Sequence, residues 1–220
     1  MTLRTASLLA AIGAAALLGC GPGRESAPAP APPAAAPETA APAAAPAAEP
    51  ATMPAAKVAV AELQPLGESG VSGKVTFTQK DGEVQVEAHI NGLAPGDHGF
   101  HVHDYGDCSA ADGASAGGHV TPAGAHHGAL HGEPPSHAGD FGNVTADASG
   151  HGMASFTTAK LGLGEGPNSV LGRSVIVHEK ADDLTTQPTG ASGGRLACGV
   201  IRLEGGDTQP VLAPPTAATP

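Results

Sequence analysis

Between residues 57 and 205, apolar side chains recur at every second position in short segments, and no window sustains a helical period. Glu83-Val-Gln-Val-Glu-Ala-His-Ile90 alternates throughout, and Asp81-Gly82 just before it is a hairpin signal. The same character marks residues 57–63, 71–78, 99–103, 143–146, 152–157, 174–178 and 197–203. A period of two puts one face of each segment inward and the other outward. Eight such segments joined by glycine-rich turns predict an all-β fold, an antiparallel sandwich or barrel. With no Trp, one Tyr and four Phe in the chain, Val, Ile, Leu and Ala must supply most of its core.

The rest of the chain reads differently. Residues 1–20 carry Arg4, an apolar run from Ala6 to Leu18, and then Gly19-Cys20. That is a charged start followed by a stretch too short to span a bilayer comfortably, the pattern of an export signal. Leu17-Leu18-Gly19-Cys20 resembles a bacterial lipobox, so Cys20 is the expected lipidation site. Residues 21–56 are almost wholly Ala and Pro. Such a stretch cannot offset its ordering entropy and is expected to be a semi-rigid disordered spacer. Residues 206–220 are Pro- and Ala-rich too, and a disordered tail is expected there. The expected product is a lipoprotein of the periplasm or cell envelope, anchored to a membrane, with one folded domain over 57–205.

A formal net charge of −11 argues against nucleic acid as a partner, because phosphate binding needs a basic surface. If Cys20 carries lipid, Cys108 and Cys198 remain, one pair in an exported chain. A bond between them would close a loop of about 90 residues.

Two long stretches lack strand character, one from Asp104 to Asp140 and one after His178. Irregular segments of that length in a compact domain are usually functional. The first holds much of the chain's histidine. In His101-Val102-His103 both imidazoles project from one face of a strand, while Phe100 and Val102 face the core. His119, His127, His137 and Asp140 follow in the loop, and His178 ends a Val-Ile-Val strand. Imidazole and carboxylate at this density suit tetrahedral zinc and tetragonal copper. His98 lies on the inward parity with Phe100, so a buried, hydrogen-bonded role fits it better than ligation. His89, His131 and His151 read as surface or otherwise satisfied residues.

His98-Gly-Phe-His-Val-His103, Gly117-Gly-His119, His137-Ala-Gly-Asp140, Gly142-Asn-Val-Thr-Ala-Asp147, Val177-His-Glu-Lys-Ala-Asp-Asp-Leu184 and Gly193-Gly-Arg-Leu-Ala-Cys-Gly-Val-Ile201 together resemble the copper–zinc superoxide dismutase family. The segment Ser109–Ala116 before His119 is similar to its bacterial branch. The resemblance implies an eight-stranded antiparallel Greek-key sandwich or barrel, immunoglobulin-like, with two long functional loops. It implies one copper per chain on His101, His103, His119 and His178. It implies one zinc per chain on His119, His127, His137 and Asp140, with His119 bridging the two metals. His126 competes with His127; Gly128 and the eight-residue spacing from His119 favour His127.

The implied activity is dismutation of superoxide to dioxygen and hydrogen peroxide, as an antioxidant defence outside the cytoplasm. His119 would take part in the proton chemistry and Arg195 would hold the substrate anion, so both are candidate catalytic residues. Asp182 would link a copper histidine to a zinc histidine, and a Cys108–Cys198 disulfide would brace the Arg195 segment. Eukaryotic members carry a lysine where Pro188 stands here, so other cations must guide the substrate. A metal-buffering protein on the same fold would lack Arg195, a copper ligand or the bridging histidine, and a copper-only relative would lack the zinc loop. The expected assembly is a monomer or a homodimer.

Overall fold

The computed structural model describes residues 56–121, 125–132, 135–205 and 211–215. The expected export signal with Cys20 and nearly all of the Ala/Pro-rich spacer lie outside the described residues. Among the described residues eight strands form: β1 (Lys57–Pro65), β2 (Ser72–Lys80), β3 (Glu83–Asn91), β4 (Gly96–His103), β5 (Asp140–Ala146), β6 (His151–Thr158), β7 (Ser174–His178) and β8 (Arg195–Leu203). They close into one barrel in the order β1-β2-β3-β6-β5-β4-β7-β8. Each ladder is antiparallel. Strands β4, β5 and β6 follow one another and β7 returns to lie beside β4, which is the Greek-key order.

Strand β3 shows why the alternation builds a barrel. Val84, Val86, Ala88 and Ile90 are buried, and each residue between them is exposed. Ala59, Ala61 and Leu63 of β1 and Val75 and Phe77 of β2 turn inward in the same way. Sealing each Val, Leu, Ile or Phe side chain from water contributes roughly 1.5–3 kcal/mol. All four phenylalanines of the chain meet in one cluster centred on Phe141. Its ring lies 4.9 Å from Phe156, 5.4 Å from Phe100 and 6.4 Å from Phe77, centroid to centroid. Planting Phe141 in the core fixes the position of its neighbour Asp140 at the barrel wall.

Several strands run beyond their sequence-predicted ends. β4 begins at Gly96 rather than Gly99, because Gly96–Gly99 pairs with Asn143–Ala146 of β5. Glycine is a residue type that strands disfavour, and at Gly96 the ladder overrides that local preference. β5 begins at Asp140 rather than Asn143 and β8 at Arg195 rather than Ala197. In each case the added residues lead into the irregular loops. The first loop also contains a short 3-10 turn over Ala114–Ala116, which the periodicity does not signal. Within the tail expected to be structureless, Leu212 is tied in: Gly106 N–H donates to its carbonyl and its own N–H donates to Gly172, both at 2.8 Å.

Two ladder irregularities place polar side chains at the end of the barrel. Between Gly99 and His101 the β4–β5 register shifts, which sets Asp140 opposite His101. Between Val177 and His178 the β7–β8 register shifts, which sets Arg195 opposite His178. Bulges of this kind re-aim side chains.

Candidate metal centre

Strand β4 is buried on both faces at its end. Phe100 and Val102 enter the barrel core, and His101 and His103 lie on the outer face under the two long loops. The first loop is laid along β4 by backbone bonds. Val120 N–H donates to Val102 at 2.9 Å, Asp104 N–H to Gly118 at 2.9 Å, and Val102 N–H to Gly139 at 2.9 Å. His119 is thereby held beside His101, ring centroids 4.0 Å apart, and beside His103 at 4.9 Å. His178, at the end of β7, completes the group with its ring 5.0 Å from that of His101.

Two sets of donors converge. His101, His103, His119 and His178 form one, and His119, His127, His137 and Asp140 the other. Within each set the ligand atoms all lie within 4.8 Å of one another, and every member is buried. His119 belongs to both.

The hydrogen bonds around the first set fix which nitrogen of each ring is free. His101 Nε2 lies 2.7 Å from Asp182 Oδ2, and His103 Nδ1 lies 2.9 Å from the Gly117 carbonyl. His178 Nδ1 makes a longer approach, 3.5 Å, to the Gly193 carbonyl. Each of these nitrogens therefore donates its proton to oxygen. The opposite nitrogens, His101 Nδ1, His103 Nε2 and His178 Nε2, are buried without a partner, as is His119 Nε2. Unpartnered buried nitrogens are costly in a protein alone. Four lone pairs turned to one point fit a borderline metal such as copper. Burial also disfavours the protonated rings: it pushes His101 down to about 4 and His178 down to about 2, and His103 well below the usual imidazole range.

The second set is built around Asp140. Its Oδ2 accepts the backbone N–H groups of Gly128 at 2.9 Å and His137 at 3.1 Å. Its Oδ1 lies 2.7, 3.0 and 3.3 Å from Nδ1 of His119, His127 and His137. Burial alone would raise the Asp140 carboxyl, but its hydrogen bonds to His119, His127 and Gly128 hold it far below the ordinary carboxylate range. Three imidazoles and one carboxylate oxygen match a closed tetrahedral zinc site.

Asp182 joins the sets. It is buried, with Oδ2 on His101 Nε2 and Oδ1 on His127 Nε2, both at 2.7 Å. Burial works against charge on His127, yet the hydrogen bonds to Asp140 and Asp182 outweigh it and push that ring up to about 9. The structure brings His127 into this arrangement, whereas His126 and His131 are exposed. His98 is buried with its two ring nitrogens 2.9 Å from the His178 carbonyl and 2.8 Å from that of Ala94, as its inward parity predicts.

Arg195 lies half-buried at the rim. Its Nη1 donates to the Gly113 carbonyl, and its Nη2 to the Gly117 carbonyl at 2.7 Å. Gly117 thus accepts from both Arg195 and His103. The Cys108–Cys198 disulfide, with its Cα atoms 5.8 Å apart, ties the 108–117 stretch to β8 three residues beyond Arg195.

Two residues that hold the site are given no role by the sequence, although Asn143 lies within one of the motifs quoted above. Asn143 clamps Asp182 from both sides, accepting its N–H at 2.7 Å and donating to its carbonyl at 2.9 Å. Gln187 does the same for His127, accepting its N–H at 2.8 Å and donating to its carbonyl at 2.9 Å. Neither belongs to a histidine or carboxylate pattern.

Residues 71–201 match the family described as copper/zinc superoxide dismutase. Among solved structures, one described as a crystal structure analysis of the clock protein EA4 is similar, with a TM-score of 0.60. It shares 39% sequence identity, over 67% of this chain and 94% of that one. An eight-stranded barrel, two converging donor sets that share one imidazole, and a match through most of the barrel sequence lead to one conclusion: the chain belongs to the copper/zinc superoxide dismutase family, enzymes that use copper and zinc to dismutate superoxide.

Proposed function

We propose that His101, His103, His119 and His178 hold the copper and that His119, His127, His137 and Asp140 hold the zinc. The observation that carries this reading is the group of four buried nitrogens without partners, one from each of the four copper-set residues. Bound there, copper would supply the one-electron chemistry by which two superoxides and two protons become dioxygen and hydrogen peroxide. The protein supplies position and protons. Asp182, Gly117 and Gly193 take the outer N–H groups of the copper imidazoles, which sets their tautomers and keeps the ligand nitrogens free. His119 has one nitrogen toward each donor set, so its Nε2 is the atom placed to take up and release a proton during turnover.

Arg195 provides positive charge for a small anion. Two of its N–H groups are bound to backbone carbonyls, which fixes the plane of the guanidinium and leaves other donors for substrate. In a chain of net charge −11, such a local cation has to offset the field of the whole molecule.

The test is dismutation by the full chain loaded with copper and zinc, beside an Arg195→Ala variant. The reading expects near one copper and one zinc per chain, and a fall of about tenfold or more in rate for the variant, with a flatter salt dependence. Stoichiometric metal without turnover would refute the site's proposed role and favour metal storage.

The enzyme's place outside the cytoplasm is part of the same proposal. The export signal, the lipobox-like Leu17-Leu18-Gly19-Cys20 and a disulfide of the kind that persists in oxidising compartments all support it. Labelling with a fatty acid tests it: the intact chain should take up label and stay with membranes, and Cys20→Ser should do neither.

A further inference from the structure

The outer wall of the barrel carries a second cluster of metal-competent side chains, on β3 and β6. The ladder pairs His89 directly with Met153, and His151 lies two residues before Met153 on the same strand. A period of two puts all three side chains on the outward face. His89 and Met153 are exposed, and His151 is half-exposed. The two imidazoles lie 5.9 Å apart, centroid to centroid, with their planes 25° apart. An imidazole nitrogen about 2 Å from a metal puts its ring centre roughly 3 Å away, so two rings on one ion stand about 5–6 Å apart. The pair already has that spacing.

Met153 sharpens the chemistry. It is 58% exposed, on a face otherwise made of polar residues such as Gln85, Glu87, Ser155 and Thr157. Packing gives no reason for a thioether there. Met153 stands directly across the ladder from His89, and His151 is the diagonal neighbour of His89; both lie within reach of long side chains, so the flexible Met153 can approach an ion held by both rings. Asp147, whose Oδ1 accepts the His151 backbone N–H at 3.1 Å, adds negative charge beside that ring. Lys74, paired with His89 from the β2 side, is drawn toward Glu62 at 3.7 Å.

From this juxtaposition we infer that His89, His151 and Met153 form a surface site for monovalent copper, separate from the buried centre. Two imidazoles with a thioether favour a soft ion, since thioether selects Cu(I) while imidazole alone accepts zinc or Cu(II) as readily. The site uses strands β3 and β6, neither of which contributes a residue to the two buried donor sets.

The test uses the holoenzyme, reduced and free of oxygen, titrated with Cu(I) against a chromophoric chelator. One copper is expected beyond the resident metals. Silver(I), a redox-inert soft ion, should shift the S-methyl resonance of Met153 together with ring protons of His89 and His151. Met153→Leu should lose the Cu(I) uptake and keep binding of Cu(II), whereas the His89→Ala/His151→Ala double variant should lose both. All variants should retain resident copper and zinc and full dismutation. No additional copper, a bound copper that survives the double variant, or silver binding that leaves the Met153 resonance unmoved would each overturn the inference.

Discussion

Replacing Asp182 by Asn should strip zinc more readily than copper. The side chain keeps its size, but the carboxylate now accepts two imidazole N–H groups at 2.7 Å and the Leu184 N–H at 2.7 Å. An amide offers one oxygen to these donors and turns an NH2 toward another. A hydrogen bond to a charged group is worth about 1.5–3 kcal/mol and a neutral one about 0.5–1.5 kcal/mol, so each affected ring loses roughly 1–2 kcal/mol of orientation. The two rings do not share that loss equally. His101 sits within β4, paired to both β5 and β7. His127 sits in a loop, where Gln187 clamps its backbone groups. Zinc affinity should therefore fall about 10–100-fold, and copper affinity by less. Dialysis of the holo variant against graded chelator, with metal content read at each step, gives the order of loss. Copper leaving first, or both metals retained as in the parent, would refute the claim that Asp182 positions the zinc side.

Three further outcomes are expected from the geometry. Removing the disulfide with Cys108→Ser/Cys198→Ser should lower the stability of the metal-free protein by about 4–5 kcal/mol in urea unfolding, given the 90-residue separation; a change under about 1 kcal/mol would contradict it. Gly190→Ala should cost zinc as Asp182→Asn does, because Gly190 has a φ of 68° and a Cβ there meets both Asp182 Oδ1 and His127 Nε2; a holo variant with parental zinc retention would count against it. Zinc binding at about pH 7.5 should release close to one proton from His127, which is pushed up to about 9 without metal and must free its Nδ1 to ligate; by about pH 10 the ring is already neutral and that release should vanish, a difference that calorimetry in buffers of contrasting ionisation enthalpy can read.

Strand existence is legible in the sequence because burial here follows a period of two, and β7 matches its sequence span, Ser174–His178, at both ends. Strand ends are less so. Gly96 is a residue type that strands disfavour, and pairing with Ala146 makes it the first residue of β4. The donor types are legible too, since His101-x-His103 on a strand predicts two rings on one face, and both lie there. Spacing leaves His126 and His127 as rivals; what separates them in space is Asp182, which touches His127 from 55 residues away. The roles of Asn143 and Gln187 are hidden for a related reason. They act on backbone groups across 39 and 60 residues, and nothing local in sequence records such a partner.

The two register shifts, at Gly99/His101 and Val177/His178, also bear on how this barrel could be improved. An engineer seeking a more robust scaffold would regularise both ladders, pairing every residue and deleting the extra one. Yet the offset in β5 is what sets Asp140 opposite His101, and the offset in β8 is what sets Arg195 opposite His178. Idealising either strand would turn Asp140 or the Arg195 guanidinium toward the wrong face, and the added ladder bonds would come with a protein expected to be inert. Tolerance to insertion should accordingly be lowest at these two places and higher at the outer hairpin turn of Asp81-Gly82, where the chain merely reverses.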